Sequence, residues 1–120
     1  MTKHKILVVD DQPGIRLLLT EIFTHKGYEV STAKTGREAL DKINARSFDL
    51  VILDYKLPIL DGLEVIKQLE QQDCTIPLIL MSGLTEQLSK QRKESRLIKK
   101  IVSKPFDVQK MSTLVQSMLT

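Results

Sequence analysis

The chain has 120 residues, 42% of them hydrophobic and 28% charged, which fits one globular domain spanning 1–120 and excludes a two-domain reading. Its apolar runs fall far short of the roughly 20 residues a membrane span needs and the N-terminus has no signal-peptide pattern, so neither membrane nor secretory partners are expected and the location should be cytoplasmic. Net charge is +3, from 18 basic and 15 acidic side chains, and the single cysteine, Cys74, allows neither an internal disulfide nor a thiolate metal site.

In chain order, Ile6 to Val9 is an unbroken apolar run that reads as a strand covered on both faces. Ile15, Leu18, Leu19, Ile22 and Phe23 recur at helical spacing after it, with Gly27 placed as a left-handed C-cap. Tyr28 to Ala33 is a weaker, more polar strand, and Thr35 can cap a second helix with Glu38 three residues on. Val51 to Leu53 is a buried strand, followed by a third helix from Gly62 to Gln72 that carries Leu63, Val65, Ile66 and Leu69. Leu78 to Met81 is another buried strand. From Glu86 to Ser95 only Leu88 is apolar, which predicts a short, mobile helix there. Leu97 to Val102 is a second weak strand, and Asp107 can cap a last helix built on Val108, Met111, Leu114, Val115, Met118 and Leu119.

The basic excess is C-terminal: residues 1–80 hold 10 basic and 12 acidic side chains, and residues 81–120 hold 8 and 3. Lys90, Arg92, Lys93, Arg96, Lys99, Lys100 and Lys104 form its densest part. No aromatic residues are interleaved with these bases, so the stacking platforms of a single-strand binder are missing and the run reads as a solvated face, with no nucleic-acid partner.

Strands alternating with helices imply parallel strands joined by right-handed crossovers, hence a three-layer α/β sandwich. A five-stranded, doubly wound sheet of order 2-1-3-4-5, flavodoxin-like, suits the pattern, with the two weak strands at its edges and ligands at the carboxyl ends of its strands. Asp10 and Asp11 fall after the first strand, Asp54 after the third, Ser82 after the fourth and Lys104 after the fifth, so all five should meet in one crevice. Any one of them alone is more readily a turn or cap residue; their joint placement points to chemistry. Three carboxylates brought together raise at least one pKa unless a divalent cation sits among them, and oxygen-only ligands favour magnesium or manganese over zinc. Beside such a cation Asp54 can act as nucleophile toward phosphorus, with Lys104 as fixed positive charge and Ser82 as hydroxyl donor to a phosphoryl oxygen. Gly83 leaves room for close backbone approach.

These residues stand in VVDDQ at 8–12, VILDYKLPILDG at 51–62, MSG at 81–83 and SKPF at 103–106, which together resemble the receiver domain of two-component response regulators over essentially the whole chain. The resemblance implies that Asp54 accepts phosphate from a sensor histidine kinase, and that Asp10, Asp11, Asp54 and the backbone carbonyl of Lys56 bind magnesium. It further implies that Ser82 and Lys104 sense the phosphoryl group and that the Lys104–Pro105 peptide is cis. With no residues after Thr120 for an output domain, the chain looks like a stand-alone, monomeric receiver. It is similar to members of sporulation phosphorelays that hand phosphate on to a histidine phosphotransferase and that an aspartyl-phosphate phosphatase can discharge. The docking surface around the site would then include Gln12, Pro13, Gly14, Ile15, Leu18, Lys56, Pro105 and Phe106. Helical spacing also puts Ile15 and Leu18 on the core stripe of Leu19 and Ile22, and only partial exposure would reconcile the two roles.

Two departures from the family pattern stand out. Ile101 occupies the place of an aromatic that often reports phosphorylation by rotating, and Arg96 and Leu97 replace a usual Gly-Ala turn. Lys56 and Leu84 are bulky neighbours that would screen an acyl phosphate from water. Among other functions, a receiver acting by phosphorylation-dependent docking uses the same residues. A magnesium-dependent aspartyl phosphohydrolase would want a second acid two residues after Asp54, where Lys56 stands. A pure nucleic-acid module leaves Asp10, Asp11 and Asp54 unexplained, and the glycine-rich phosphate loops of nucleotide binders are absent.

Overall fold

Unbroken apolar strands demand cover on both faces, and among the described residues two helices cover each face of one sheet. The computed structural model describes residues 3–83 and 95–120. Its elements are β1 (Lys5–Val9), α1 (Pro13–His25), β2 (Glu29–Ala33), α2 (Gly36–Ala45), β3 (Leu50–Asp54), α3 (Gly62–Gln71), β4 (Leu78–Ser82), β5 (Ile98–Ser103) and α4 (Val108–Leu119). The strands pair in parallel in the order β2-β1-β3-β4-β5, the predicted doubly wound arrangement. The helix expected from Glu86 to Ser95 lies, but for Ser95, outside the described residues.

Strand alternation divides the core into two layers. Leu7, Val9, Val51, Leu53, Leu78 and Leu80 pack with Ala39, Leu40 and Ile43 of α2 and with Val65, Ile66 and Leu69 of α3. Ile6, Val8, Leu50, Ile52, Ile79 and Met81 face the other way, against Leu19 and Phe23 of α1 and Met111, Val115 and Leu119 of α4. Every residue of β3 and β4 is buried, which is why both read as continuous apolar runs. The weaker strands are the edges. β5 exposes Lys99 and Lys100, charges that discourage pairing with another sheet edge, and its pairing with β4 shifts register between Leu78 and Ile79.

Local signals set the helix ends. Gly27 adopts φ +94°, and the Gly27 and Tyr28 N–H groups donate to the Thr24 and Phe23 carbonyls, closing α1 with a Schellman motif under which the Phe23 and Tyr28 rings meet. Thr35 accepts from the Glu38 N–H at 3.0 Å and Asp107 from that of Lys110 at 2.9 Å, as expected, and Asp61 does the same for α3 through Glu64 at 3.0 Å. Strand boundaries differ from the sequence expectation by a residue: Asp54 and Ser82 are the last residues of β3 and β4, not the first beyond them, and β2 and β5 begin at Glu29 and Ile98. Among the described residues no helix is long and apolar enough to cross a membrane.

Thr35→Ala removes the α2 cap and is expected to cost about 1 kcal/mol in urea denaturation. Glu38 adds a pH dependence of known sign. The Lys34 N–H, donated to its carboxylate at 2.7 Å, is the main cause holding its pKa below the ordinary 4.5. Its contribution is therefore present above pH 4.5 and lost as pH falls through the lowered folded value. Glu38→Gln should flatten that limb of the stability profile.

Candidate active site

The carboxyl ends of β1, β3, β4 and β5 enclose a cleft of ≈ 450 Å³ whose walls include Asp11, Asp54, Lys56, Ser82 and Lys104. The sheet's hydrogen bonding runs past the strands to place them. The Asp10 N–H reaches the Ala33 carbonyl at 3.1 Å, that of Tyr55 the Met81 carbonyl at 2.9 Å, and that of Lys104 the Ser82 carbonyl at 3.0 Å. Asp10 is wholly buried beneath the cleft and Asp54 is 5% exposed at its floor, whereas Asp11 stands exposed on the rim. Lys104 Nζ sits between the two buried acids, 2.7 Å from Asp10 Oδ2 and 3.1 Å from Asp54 Oδ2. The other Asp10 oxygen accepts the Gln12 N–H at 2.9 Å, and Arg16 Nη1 donates to the Asp10 carbonyl at 2.8 Å.

Three carboxylates face one ammonium, and the imbalance is felt at Asp54. Burial first, and then the Asp10 charge, push its pKa above the ordinary carboxylate value; Lys104 offsets this only in part. At Lys104 burial works against the charged form, but the hydrogen bonds to Asp10 and Asp54 outweigh it, so its pKa is raised and it stays an ammonium. Oxygens of Asp10, Asp11 and Asp54 lie within 4.8 Å of one another. That set of hard donors with surplus negative charge fits a magnesium or manganese ion and suits neither a soft metal nor a redox centre.

Two glycines fix the loop that follows Asp54. A Cβ on Gly62 would stand 2.6 Å from the Asp54 carbonyl oxygen, and one on Gly36 would stand 2.0 Å from that of Leu60. Only hydrogen at both positions lets α3 begin against the end of β3 and α2 press on the loop. The Gly62 N–H then closes that loop onto the Tyr55 carbonyl at 2.9 Å, which holds Lys56 at the cleft rim. Sequence reasoning missed Gly36, Gly62, Asp61 and Arg16; the Asp-Gly pair opening an apolar helical stretch was the available signal for two of them.

The expected site residues come together, with Ser82 buried at 3% exposure and the Lys104–Pro105 peptide cis. Gln12, Pro13 and Gly14 are exposed, Ile15 is half-buried and Leu18 is 38% exposed beside a fully buried Leu19. Ile15 and Leu18 join Gln12, Lys104, Pro105 and Phe106 around a second, more apolar groove of ≈ 480 Å³ beside the first. Ile15 is thus partly core and partly surface, whereas Leu18 lies on the surface and packs in neither core layer. Ile101 is half-buried opposite Leu80 in β4. Leu84, expected to screen the site with Lys56, lies outside the described residues.

The chain belongs to the family described as the response regulator receiver domain, whose family model matches residues 6–116. It is 38% identical over 120 residues to the sporulation initiation phosphotransferase F of Bacillus subtilis, covering 99% of this chain and 96% of that protein. It is also 38% identical over 115 residues to the Bacillus subtilis alkaline phosphatase synthesis transcriptional regulatory protein PhoP, covering 96% of this chain but 48% of that longer relative. Among solved structures, the Thermotoga maritima response regulator TrrA in complex with Mg2+-BeF superposes with a TM-score of 0.84 at 35% identity, over 96% of this chain and 98% of that one.

An acid with a raised folded pKa binds its proton more tightly folded than unfolded. The metal-free protein therefore loses stability as pH rises from the ordinary carboxylate range through the Asp54 value, and carries the full penalty above it. Asp54→Asn removes that penalty. At neutral pH without metal its Tm should exceed wild type, and added magnesium should narrow the gap by binding the wild type.

Proposed function

We propose that the chain is a stand-alone response regulator that takes a phosphoryl group from a sensor histidine kinase onto Asp54 and passes it to a histidine phosphotransferase, within a phosphorelay controlling the initiation of sporulation. The observation that carries the chemistry is Asp54 itself: a nearly buried carboxylate at the floor of an open cleft, 3.1 Å from the Lys104 ammonium and within 4.8 Å of two further acids. A nucleophile, its counter-charge and a cation-binding pair stand together.

In the forward step an Asp54 carboxylate oxygen attacks the phosphorus of a phosphohistidine. The new P–O bond forms as the P–N bond breaks, and the departing imidazole nitrogen keeps the electron pair and takes a proton from solvent. Lys104 lies where it can neutralise charge on the transferred phosphoryl oxygens, and the Ser82 hydroxyl can donate to one of them. Magnesium, held by Asp10, Asp11, Asp54 and the Lys56 carbonyl, would supply the remaining charge neutralisation, and the TrrA complex with Mg2+-BeF supports that assignment. Transfer to a second histidine protein is the same displacement in reverse.

The relay reading draws on the sporulation phosphotransferase, to which the chain is 38% identical over 96% of that protein's length. The groove lined by Gln12, Ile15, Leu18, Pro105 and Phe106, with the exposed Pro13 and Gly14 next to them in the chain and Lys56 in the wall of the neighbouring cleft, is the surface on which kinase, phosphotransferase or an aspartyl-phosphate phosphatase would dock. The charged edge strand β5 favours a monomer.

Intact mass after incubation with acetyl phosphate tests the chemistry. One phosphoryl group is expected with magnesium, none with chelator, and none on Asp54→Ala. Magnesium binding without either an adduct or phosphate release would overturn the reading. For the relay, the phosphorylated protein incubated with a histidine phosphotransferase should lose its adduct as the partner gains it.

A further inference from the structure

Ile59 is the most exposed large apolar residue among those described, at 84%, and its backbone sits at φ +71°. The left-handed region is disfavoured for L residues, and most of all for β-branched ones, whose Cβ substituents crowd the neighbouring peptide. Such a residue is tolerated when it buries its side chain or when a short polar group stabilises the turn. Ile59 does neither. It packs in neither core layer, and it follows Pro58, which is also exposed. Asparagine or glycine would fit this backbone better and expose less apolar surface, so folding gives no reason for isoleucine here.

Its position gives one. The loop from Tyr55 to Asp61 is closed by the Gly62 N–H on the Tyr55 carbonyl and folded further by the Leu60 N–H on that of Pro58, at 2.7 Å. Five residues fully extended reach at most about 18 Å, and this loop doubles back, so Ile59 lies well inside that distance of Asp54. A protein that brings a histidine to the floor of the cleft must cover its mouth. A standard interface buries about 800 Å² per partner, a patch on the order of 16 Å in radius. Centred on Asp54, that patch takes in Ile59 on the side of the cleft opposite α1.

We infer that Ile59 is a specificity-determining anchor for the histidine-bearing phosphotransfer partner. It presents an isolated apolar side chain to a pocket on that partner, in addition to the groove beside α1. The inference rests on the proposed phosphoryl transfer between proteins. A single apolar anchor in a partner's pocket contributes as a hot spot does, out of proportion to its area. A small donor has no such pocket and does not reach the loop.

The test compares wild type with Ile59→Gly, Ile59→Asn and Ile59→Leu. Each is phosphorylated by acetyl phosphate and, separately, by the autophosphorylated core of a sensor histidine kinase that transfers to wild type. The glycine and asparagine variants should fall about tenfold in kcat/KM for transfer from the kinase. Their rates with acetyl phosphate should be unchanged and their Tm no lower than wild type, and the leucine variant should stay within about twofold of wild type in transfer. Equal transfer by all four proteins would overturn the inference and leave the phosphoacceptor reading intact. A parallel fall with acetyl phosphate would overturn it as well, because the residue would then act on the site rather than on the partner. Wild type that accepts phosphate from neither donor would defeat the phosphoacceptor reading, and this inference with it.

Discussion

The Lys104 ammonium, held between the carboxylates of Asp10 and Asp54, is the contact on which the carboxyl end of the sheet depends. It joins residues 94 apart in sequence and ties the turn after β5 to the ends of β1 and β3. Two acids this buried and this close would otherwise repel each other in a medium that screens poorly. Removing the lysine would strand them, and an uncompensated buried charge is far more costly than the pair itself is favourable. Yet one cation cannot satisfy three acids, as the raised Asp54 pKa records. The metal-free site is held together and still short of positive charge, which is the condition a divalent cation relieves.

What keeps that arrangement in place is backbone rather than side chain. Asp10, Asp54, Ser82 and Lys104 are all engaged, directly or through an adjacent residue, in hydrogen bonds that continue the parallel ladder. The loop after Asp54 is gripped from two sides at glycines where a methyl group would collide with a carbonyl oxygen. Reactive groups on rigid elements, supported by contacts of their own, keep their geometry better than groups on free loops. Arg16 belongs to this support. Reaching back from α1 to the Asp10 carbonyl, it ties the helix to the acid it follows.

Much of this was legible in the sequence because two strong periodicities carry it. The five apolar runs and the helical stripes between them imply a parallel sheet, and a parallel sheet puts Asp10, Asp11, Asp54, Ser82 and Lys104 at one end. The strand ends were misplaced by a residue because hydrophobicity stops before hydrogen bonding does: Asp54 and Ser82 are polar and still paired in the ladder. Gly36 and Gly62 were missed for a different reason. The close approach of one backbone to another depends on how distant elements meet; the Asp61–Gly62 pair opening a helix hints at one such position, but nothing within a segment marks Gly36. Leu18 shows the limit of the helical stripe. The apolar face of α1 is wider than the core can cover, so Leu19 and Phe23 are wholly buried while Leu18 remains over a third exposed.

That surplus width bears on how docking and chemistry relate. The apolar groove beside α1 and the acidic cleft are separate hollows, but Gln12 and Lys104 line both. The Gln12 N–H fixes one oxygen of Asp10, and the Lys104 ammonium holds the other. Lysine is long enough to offer its methylene stem to one hollow and its charge to the other. A protein seated against Leu18 and Phe106 would therefore touch the flank of the side chain whose tip neutralises Asp54, and would exclude water from it. Excluding water strengthens each charge interaction in the cleft at the moment the phosphoryl group arrives. On the proposed function, recognition and electrostatics would then act through one lysine, with no conformational relay required between them.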